Sequence, residues 1–245
     1  MQGPERRPYL VVCRGGALGD FVLTLPVLQS LRRMWPAAWI EVAATSPAAA
    51  LARAGGLADA TVALDAAEWA RWFAPLDSVT AADHERWSRP DVVLSYLHDP
   101  DGILAENLRR AGARRVITHT PFVRHKHAID HFLEPVTRLG YRPTGDEYAR
   151  LDLPGEWRTA GARRLDQFCR PVLILHPGSG SPGKNWPLEN FLRLGVLLQQ
   201  AGMGQPVFML GEAETGMAGH LRAAGVSAVL EGLCLREVAE LLAAG

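Results

Sequence analysis

Two glycine-containing loops hold the residues best suited to chemistry. The first reads RGGALGD over positions 14–20 and ends on a carboxylate, Asp20, at the start of a helical stretch. Its glycines miss the G-x-G-x-x-G spacing of a dinucleotide fold. Asp20 has two readings: an N-cap, for which Asp is a preferred residue, or a base placed to take a proton from a hydroxyl nucleophile. The second loop, HPGSGSPGKNWP at 176–187, sets Gly178, Gly183 and Lys184 on the G-x-x-x-x-G-K spacing of a nucleoside-triphosphate loop. That motif needs Ser or Thr after the lysine to ligate Mg²⁺, and Asn185 stands there instead. Two readings remain, a flexible surface turn or a diphosphate cradle. Glycines allow close backbone approach, a following helix N-terminus favours an anion, Ser179 and Ser181 offer hydroxyls, and Lys184 adds a charge. Of 26 basic residues only Lys126 and Lys184 are lysine, and an ammonium is a compact charge that fits a narrow phosphate pocket.

The elements that must position these loops follow a repeated order. The runs YLVVC, WIEVAA, ATVALD, PDVVLSYL and RRVITHT read as buried strands. Helical stretches alternate with them: FVLTLPVLQSLRRMW, SPAAALARAG, DGILAENLRRAG and HAIDHFLEPVTRLG, the last with Gly140 as its C-cap. Segment 141–156 is rich in Pro, Gly and charge and reads as a linker. A second cycle follows: helix WRTAGARRLDQF, strand RPVLILHP, the glycine loop, helix WPLENFLRLGVLLQQAG with Pro187 near its first turn, strand PVFMLG, helix EAETGMAGHLRAAG, strand SAVLEGL and helix LREVAELLAAG. Strand, loop and helix in alternation predict α/β architecture with parallel sheets. The predicted domains are 1–152 and 153–245, each opening with a strand, a glycine-rich loop and a helix, and ligands in such sheets bind at the carboxyl ends of the strands.

Composition narrows the function classes. The 245 residues carry 26 basic and 26 acidic side chains and are 48% apolar. A balanced charge gives no field for nucleic acid. Three scattered cysteines, Cys13, Cys169 and Cys234, give neither a disulfide framework nor a zinc motif and fit a reducing compartment. No apolar run is long enough for a signal peptide or a membrane span, and the expected location is the cytoplasm.

RGGALGDFVLTLPVLQSLRRMWP resembles the N-terminal signature of glycosyltransferase family 9, the ADP-heptose:lipopolysaccharide heptosyltransferases, and HPGSGSPGKNWPLENF resembles the same family's donor-side signature. HAIDHFLEPVTRLGY and GEAETGMAGHL resemble further helices of that family. The resemblance implies a GT-B fold, two Rossmann-like domains facing a cleft, and inverting transfer from a nucleotide-sugar donor, ADP-heptose-like, with no tightly bound cofactor and no metal. It assigns Asp20 as the general base. Ser179, Gly180, Ser181 and Lys184 fall on the loop for the donor diphosphate, and Glu214 matches the acidic residue for the donor ribose, with the nearby Glu212 an alternative match. The implied acceptor is an anionic glycolipid of the lipopolysaccharide-core type at the inner-membrane surface, with Arg14, Arg124 and Lys126 assigned to it and the protein a monomer. The family pattern continues into a D-[ST]-G-x-x-H loop that does not occur in this sequence, so the second domain is expected to be incomplete. The alternative is a non-catalytic nucleotide-sugar-binding fragment or interaction module.

Three further features have bland readings beside functional ones. His125, His127 and His131 lie close in RHKHAIDH, but no acidic or cysteine constellation joins them into a metal site. Six basic residues and no acid lie between Asn107 and Ile129, which reads either as an acceptor-side patch or as an ordinary solvated helix end and loop. Trp69, Trp72 and Trp87 fall in the weakly patterned stretch 66–90, where local packing is the expected role and an acceptor loop the other.

Overall fold

The computed structural model describes residues 7–179, 182–211, 214 and 216–245. The chain divides into two compact units, Met1–Asp152 and Leu153–Gly245.

The first unit opens with β1 (Tyr9–Cys13), α1 (Leu18–Val22), α2 (Leu25–Met34), β2 (Trp39–Ala44), α3 (Ser46–Ala54) and β3 (Ala60–Ala63). It continues with a 3₁₀ segment (Ala67–Phe73), α4 (Ala81–Trp87), β4 (Val92–Ser95), α5 (Ile103–Arg110), β5 (Val116–Thr118) and α6 (Ala128–Thr137). The five strands are parallel in the order β3-β2-β1-β4-β5, with Val12 opposite both Val42 and Leu94. Side chains of β1 alternate between faces. Leu10 and Val12 join a core with Leu28, Leu31, Ile40 and Phe132, while Val11 and Cys13 join Trp69, Trp72, Trp87 and Leu104. Burial pushes the Cys13 thiol up to about 12. Chain order reverses at β1, with β2 and β3 on one side and β4 and β5 on the other. This is the switch point at which a crevice opens beyond the strand ends.

Three details depart from or resolve the sequence reading. The stretch FVLTLPVLQSLRRMW is two helices rather than one, parted at Leu23–Thr24. Pro26 has no N–H to continue α1 and its ring would strike the carbonyl four residues back, so it sits instead in the first turn of α2. The weakly patterned stretch contains α4, whose Thr80 and Asp83 form a reciprocal capping box. Its tryptophans are core: Trp87 meets Trp69 and Trp72 edge to face, with ring centroids 5.9 and 5.6 Å away.

The second unit holds α7 (Gly155–Leu165), β6 (Val172–Leu175), α8 (Leu188–Gln200), β7 (Gln205–Leu210), α9 (Met217–Ala223), β8 (Val229–Glu231) and α10 (Leu235–Ala243). Its parallel sheet has the order β6-β7-β8. Phe208 and Leu210 face α8 and α9, and Val207 faces Leu165 and Leu241 of α7 and α10. Gly161 lets α7 and α10 touch, because a side chain there would overlap the backbone of Glu240. Arg164 of α7 reaches Glu237 of α10 at 2.9 Å. Among the described residues no helix is long and apolar enough to cross a membrane.

Candidate functional site

In the first unit the RGGALGD loop leaves the carboxyl end of the central strand. Gly16 takes φ +94, a conformation that glycine adopts without strain, and a side chain there would meet Asp20 Oδ2 at 3.1 Å. The loop thereby turns tightly enough for α1 to begin at Leu18, with Ala17 at the N-cap position. Asp20 is the third residue inside the helix, and the capping reading does not hold. Its carboxylate is about half exposed, with the side chain at 54%, and lines a cavity of about 460 Å³ together with Gly15, Gly16, Tyr96, Leu97 and His98. These residues come from the ends of β1 and β4, the two strands that flank the switch point.

Arg14 fastens this arrangement from below. Its side chain is only 2% exposed and its NH2 group lies 3.9 Å from Asp20 Oδ1. It donates to the backbone carbonyls of Asp20 and Tyr96, each at 3.4 Å, and its guanidinium lies 4.8 Å from the centre of the Phe132 ring. Burial lowers its pKa and the Asp20 charge works against that shift. A buried cation is stable only with such partners. Arg14 is therefore a positioning residue that ties β1, α1, β4 and α6 together around the carboxylate. Thr24 adds a donor to the Asp20 carbonyl at 3.0 Å.

In the second unit the glycine loop follows β6. Ser179 Oγ donates to Asn185 Oδ1 at 2.6 Å. The residue that spoils the triphosphate motif is thus the one that closes the loop on itself. Lys184 ends a short 3₁₀ turn, Pro182–Lys184, and is exposed, with no carboxylate in ion-pair reach among the described residues. Glu214 is buried at 4% exposure, and its Oε2 accepts from the Gly211 N–H at 2.9 Å. A side chain at Gly178 would overlap the Glu214 carboxylate. Gly178, Gly211 and Glu214 therefore form one packed corner at the strand ends. Gly180, Ser181 and the alternative Glu212 lie outside the described residues. His176, beside this corner, donates Nδ1–H to the Met209 carbonyl at 2.8 Å.

No family model matches the sequence, and no curated protein matches it. Solved structures do. A family 9 glycosyl transferase from Veillonella parvula DSM 2008 aligns with a TM-score of 0.72 at 20% identity, covering 97% of this chain and 73% of its own. The chain has the fold of a family 9 glycosyltransferase. E. coli ADP-heptose LPS heptosyltransferase II aligns with a TM-score of 0.69 at 15% identity over 97% of this chain and 76% of its own. E. coli heptosyltransferase WaaC with ADP-2-deoxy-2-fluoro heptose aligns at 0.61 and 18% identity, over 96% and 79%.

Within this family 9 fold the basic run between Asn107 and Ile129 does not form one patch. Arg109 and Arg110 end α5, and Arg114 pairs with Asp91 at 3.7 Å ahead of β4. These lie at the amino edge of the sheet, away from Asp20. Arg124 and Lys126 follow β5 at the carboxyl edge. Lys126 is half exposed, and its ammonium pairs with Glu134 of α6. Among the described residues no group of three His, Cys, Asp or Glu side chains is arranged to hold a metal. The sequence reading missed Tyr96 and His98 at the end of β4 and the pair His119 and His131. The signal was available for the first two, because they directly follow the strand that neighbours β1.

Proposed function

We propose that the chain is an inverting glycosyltransferase that moves a sugar, a heptose in our reading, from a nucleotide-sugar donor to an anionic glycolipid of the lipopolysaccharide-core type. The observation that carries the reading is the carboxylate of Asp20, half exposed over a cavity at the switch point. Asp20 takes the proton of the acceptor hydroxyl as that oxygen attacks the anomeric carbon, and the nucleoside diphosphate departs from the opposite face. Arg14 keeps the carboxylate aimed without touching substrate. The donor diphosphate lies against the second glycine loop, with Ser179, Gly180, Ser181 and Lys184 as its partners. Lys184 offsets the charge that grows on the leaving group, the stage at which a preorganised cation acts most strongly. Glu214 holds the donor ribose from beneath the loop. The protein acts as a monomer in the cytoplasm, peripheral to the inner membrane, and needs neither a bound cofactor nor a metal.

The test pairs a transfer assay, using ADP-heptose and a lipopolysaccharide-core acceptor, with calorimetric titration of ADP. Asp20→Asn is expected to lower transfer by about 10²- to 10⁴-fold, the usual contribution of a general base, while ADP binding is unchanged. Undiminished turnover in that variant overturns the role of Asp20. ADP binding without transfer by the unmodified chain replaces this reading with a non-catalytic donor-binding module.

A further inference from the structure

A second cavity of about 560 Å³ lies beside the Asp20 cavity, and Leu97, His98, Pro121 and Phe122 line both. Its walls are unusually cationic. Two exposed guanidiniums, Arg124 from the loop after β5 and Arg138 at the end of α6, line it together with the imidazoles of His119 and His131. The two imidazole rings lie 4.3 Å apart. His131 Nε2 is 2.9 Å from the Thr120 carbonyl; a carbonyl only accepts, so that nitrogen carries the hydrogen. His119 Nε2 is buried and has no hydrogen-bond partner among the described residues, an uncommon condition for a buried nitrogen.

The acids facing this cavity are already engaged. Asp99 accepts from the Leu104 and Ala105 N–H groups at 3.0 Å each, at the start of α5. Glu134 is paired with Lys126 and stands 3.7 Å from His119 Nε2. His98, from the loop after β4, packs against Phe122 with ring centroids 5.1 Å apart. Arg124 and Arg138 have no ion-pair partner among the described residues. An apolar floor with unneutralised cations is a seat for an anion.

We propose that the cavity between β5 and α6 binds a single oxyanion group, phosphate or carboxylate, with Arg124 and Arg138 gripping it and the His119–His131 pair strengthening the grip when it takes a proton. This rests on the glycosyltransferase reading only for its natural occupant, the anionic group of the acceptor, which would be held one cavity away from the hydroxyl that faces Asp20. It also moves the acceptor contacts from Arg14 and Lys126 to Arg124, Arg138 and the histidines. Burial, followed by the nearby charge of His131, holds the His119 pKa below the usual imidazole range. A bound anion would raise it, and by linkage a proton there tightens the anion.

Sulfate is the probe, because its charge is constant from pH 6 to pH 8. Binding is read from the imidazole ring resonances of His119 and His131 in the full chain, with no donor present. Sulfate is expected to shift both rings and to bind more tightly at pH 6 than at pH 8, by less than about tenfold, because a coupling of about one pH unit gives its full factor only below the lowered pKa of His119. Arg124→Gln and Arg138→Gln, both at exposed positions, are each expected to weaken it about five- to tenfold. His119→Gln removes the pH dependence and leaves sulfate binding at its pH 8 strength. Competition by a sugar phosphate against a sugar carboxylate identifies the preferred group. Ring resonances unmoved by tens of millimolar sulfate, or arginine variants that bind as the parent does, overturn the seat. Sulfate binding that survives while transfer is absent leaves the seat standing and removes the glycosyltransferase reading. Transfer without sulfate binding does the reverse.

Discussion

The two glycine loops are built on strands in different situations. RGGALGD leaves β1, which is hydrogen-bonded on both sides within a five-stranded sheet and buried along four of its five residues. HPGSGSPGKNWP leaves β6, which within the described residues pairs only with β7 and is fully buried only at Leu175. A strand with two neighbours has its backbone groups satisfied and its course fixed, whereas an edge strand has an open side. Precision at the two loops therefore comes from different sources. Asp20 is placed by the sheet and by a buried arginine. Lys184 is placed by its own loop, through the Ser179–Asn185 bond and the packing of Gly178 on Glu214.

Removing a large side chain from the first unit tests the sheet's share. Trp87 is 3% exposed and anchors both other tryptophans of that core. Trp87→Ala should cost about 3–5 kcal/mol in chemical denaturation, the range for deleting a buried aromatic. Calorimetric ADP binding should remain unchanged wherever the variant is folded. A loss of ADP affinity in the folded variant would mean that the donor loop also depends on the first core.

The loop's share is tested at Gly178. Alanine there must displace Glu214 or the strand end, because the new methyl overlaps the buried carboxylate. Overpacking of this kind costs about 1–3 kcal/mol. The second unit should lose that much stability, and ADP affinity should fall with it, while amide exchange in β1 and β4 stays at the parent's rate. Retained ADP binding in Gly178→Ala would show that the Gly178–Glu214 contact does not shape the donor site.

The strands and most helices were legible because their signals are local. YLVVC, PVFMLG and their counterparts are apolar runs bounded by turn residues, and each becomes a strand. The split of α1 from α2 was also written in the chain, in Pro26, but a continuous apolar pattern across residues 21–35 obscured it. The site was legible only in part. Spacing could nominate Asp20 and Lys184, because each sits in a loop with an identifiable chemistry, and the family resemblance added Glu214. It could not tell that Arg14 faces inward, that Lys126 is held by Glu134 eight residues on, or that Arg109 and Arg124 lie at opposite edges of the sheet. Those facts depend on strand order, and strand order is not a local property of the sequence. The same limit hid the meeting of His119 with His131, which depends on α6 returning across the end of β5.

The smallest expected effect is electrostatic and belongs to the first unit. His119 has its pKa lowered in the folded chain, chiefly by burial and then by His131, with Glu134 opposing. In the unfolded chain the same imidazole titrates near the ordinary value of about 6.5. Between those two values the unfolded chain binds the extra proton, so this group's contribution is complete above about pH 6.5 and is lost as pH falls through the window. Glu134 behaves separately: its hydrogen bond from Lys126 holds its pKa below the usual carboxylate range. Its contribution is lost only further down, as pH drops below about 4.5. Denaturation midpoints should therefore decline with falling pH from about 6.5, with a slope from this one proton below about 1.4 kcal/mol per pH unit. His119→Gln should flatten the upper part of the profile and leave the lower part intact. Sulfate should flatten it too in the parent protein, because an anion beside the imidazole returns its pKa toward the unfolded value. A decline that persists unchanged in sulfate would place the titrating group elsewhere in the fold and separate it from the proposed anion seat.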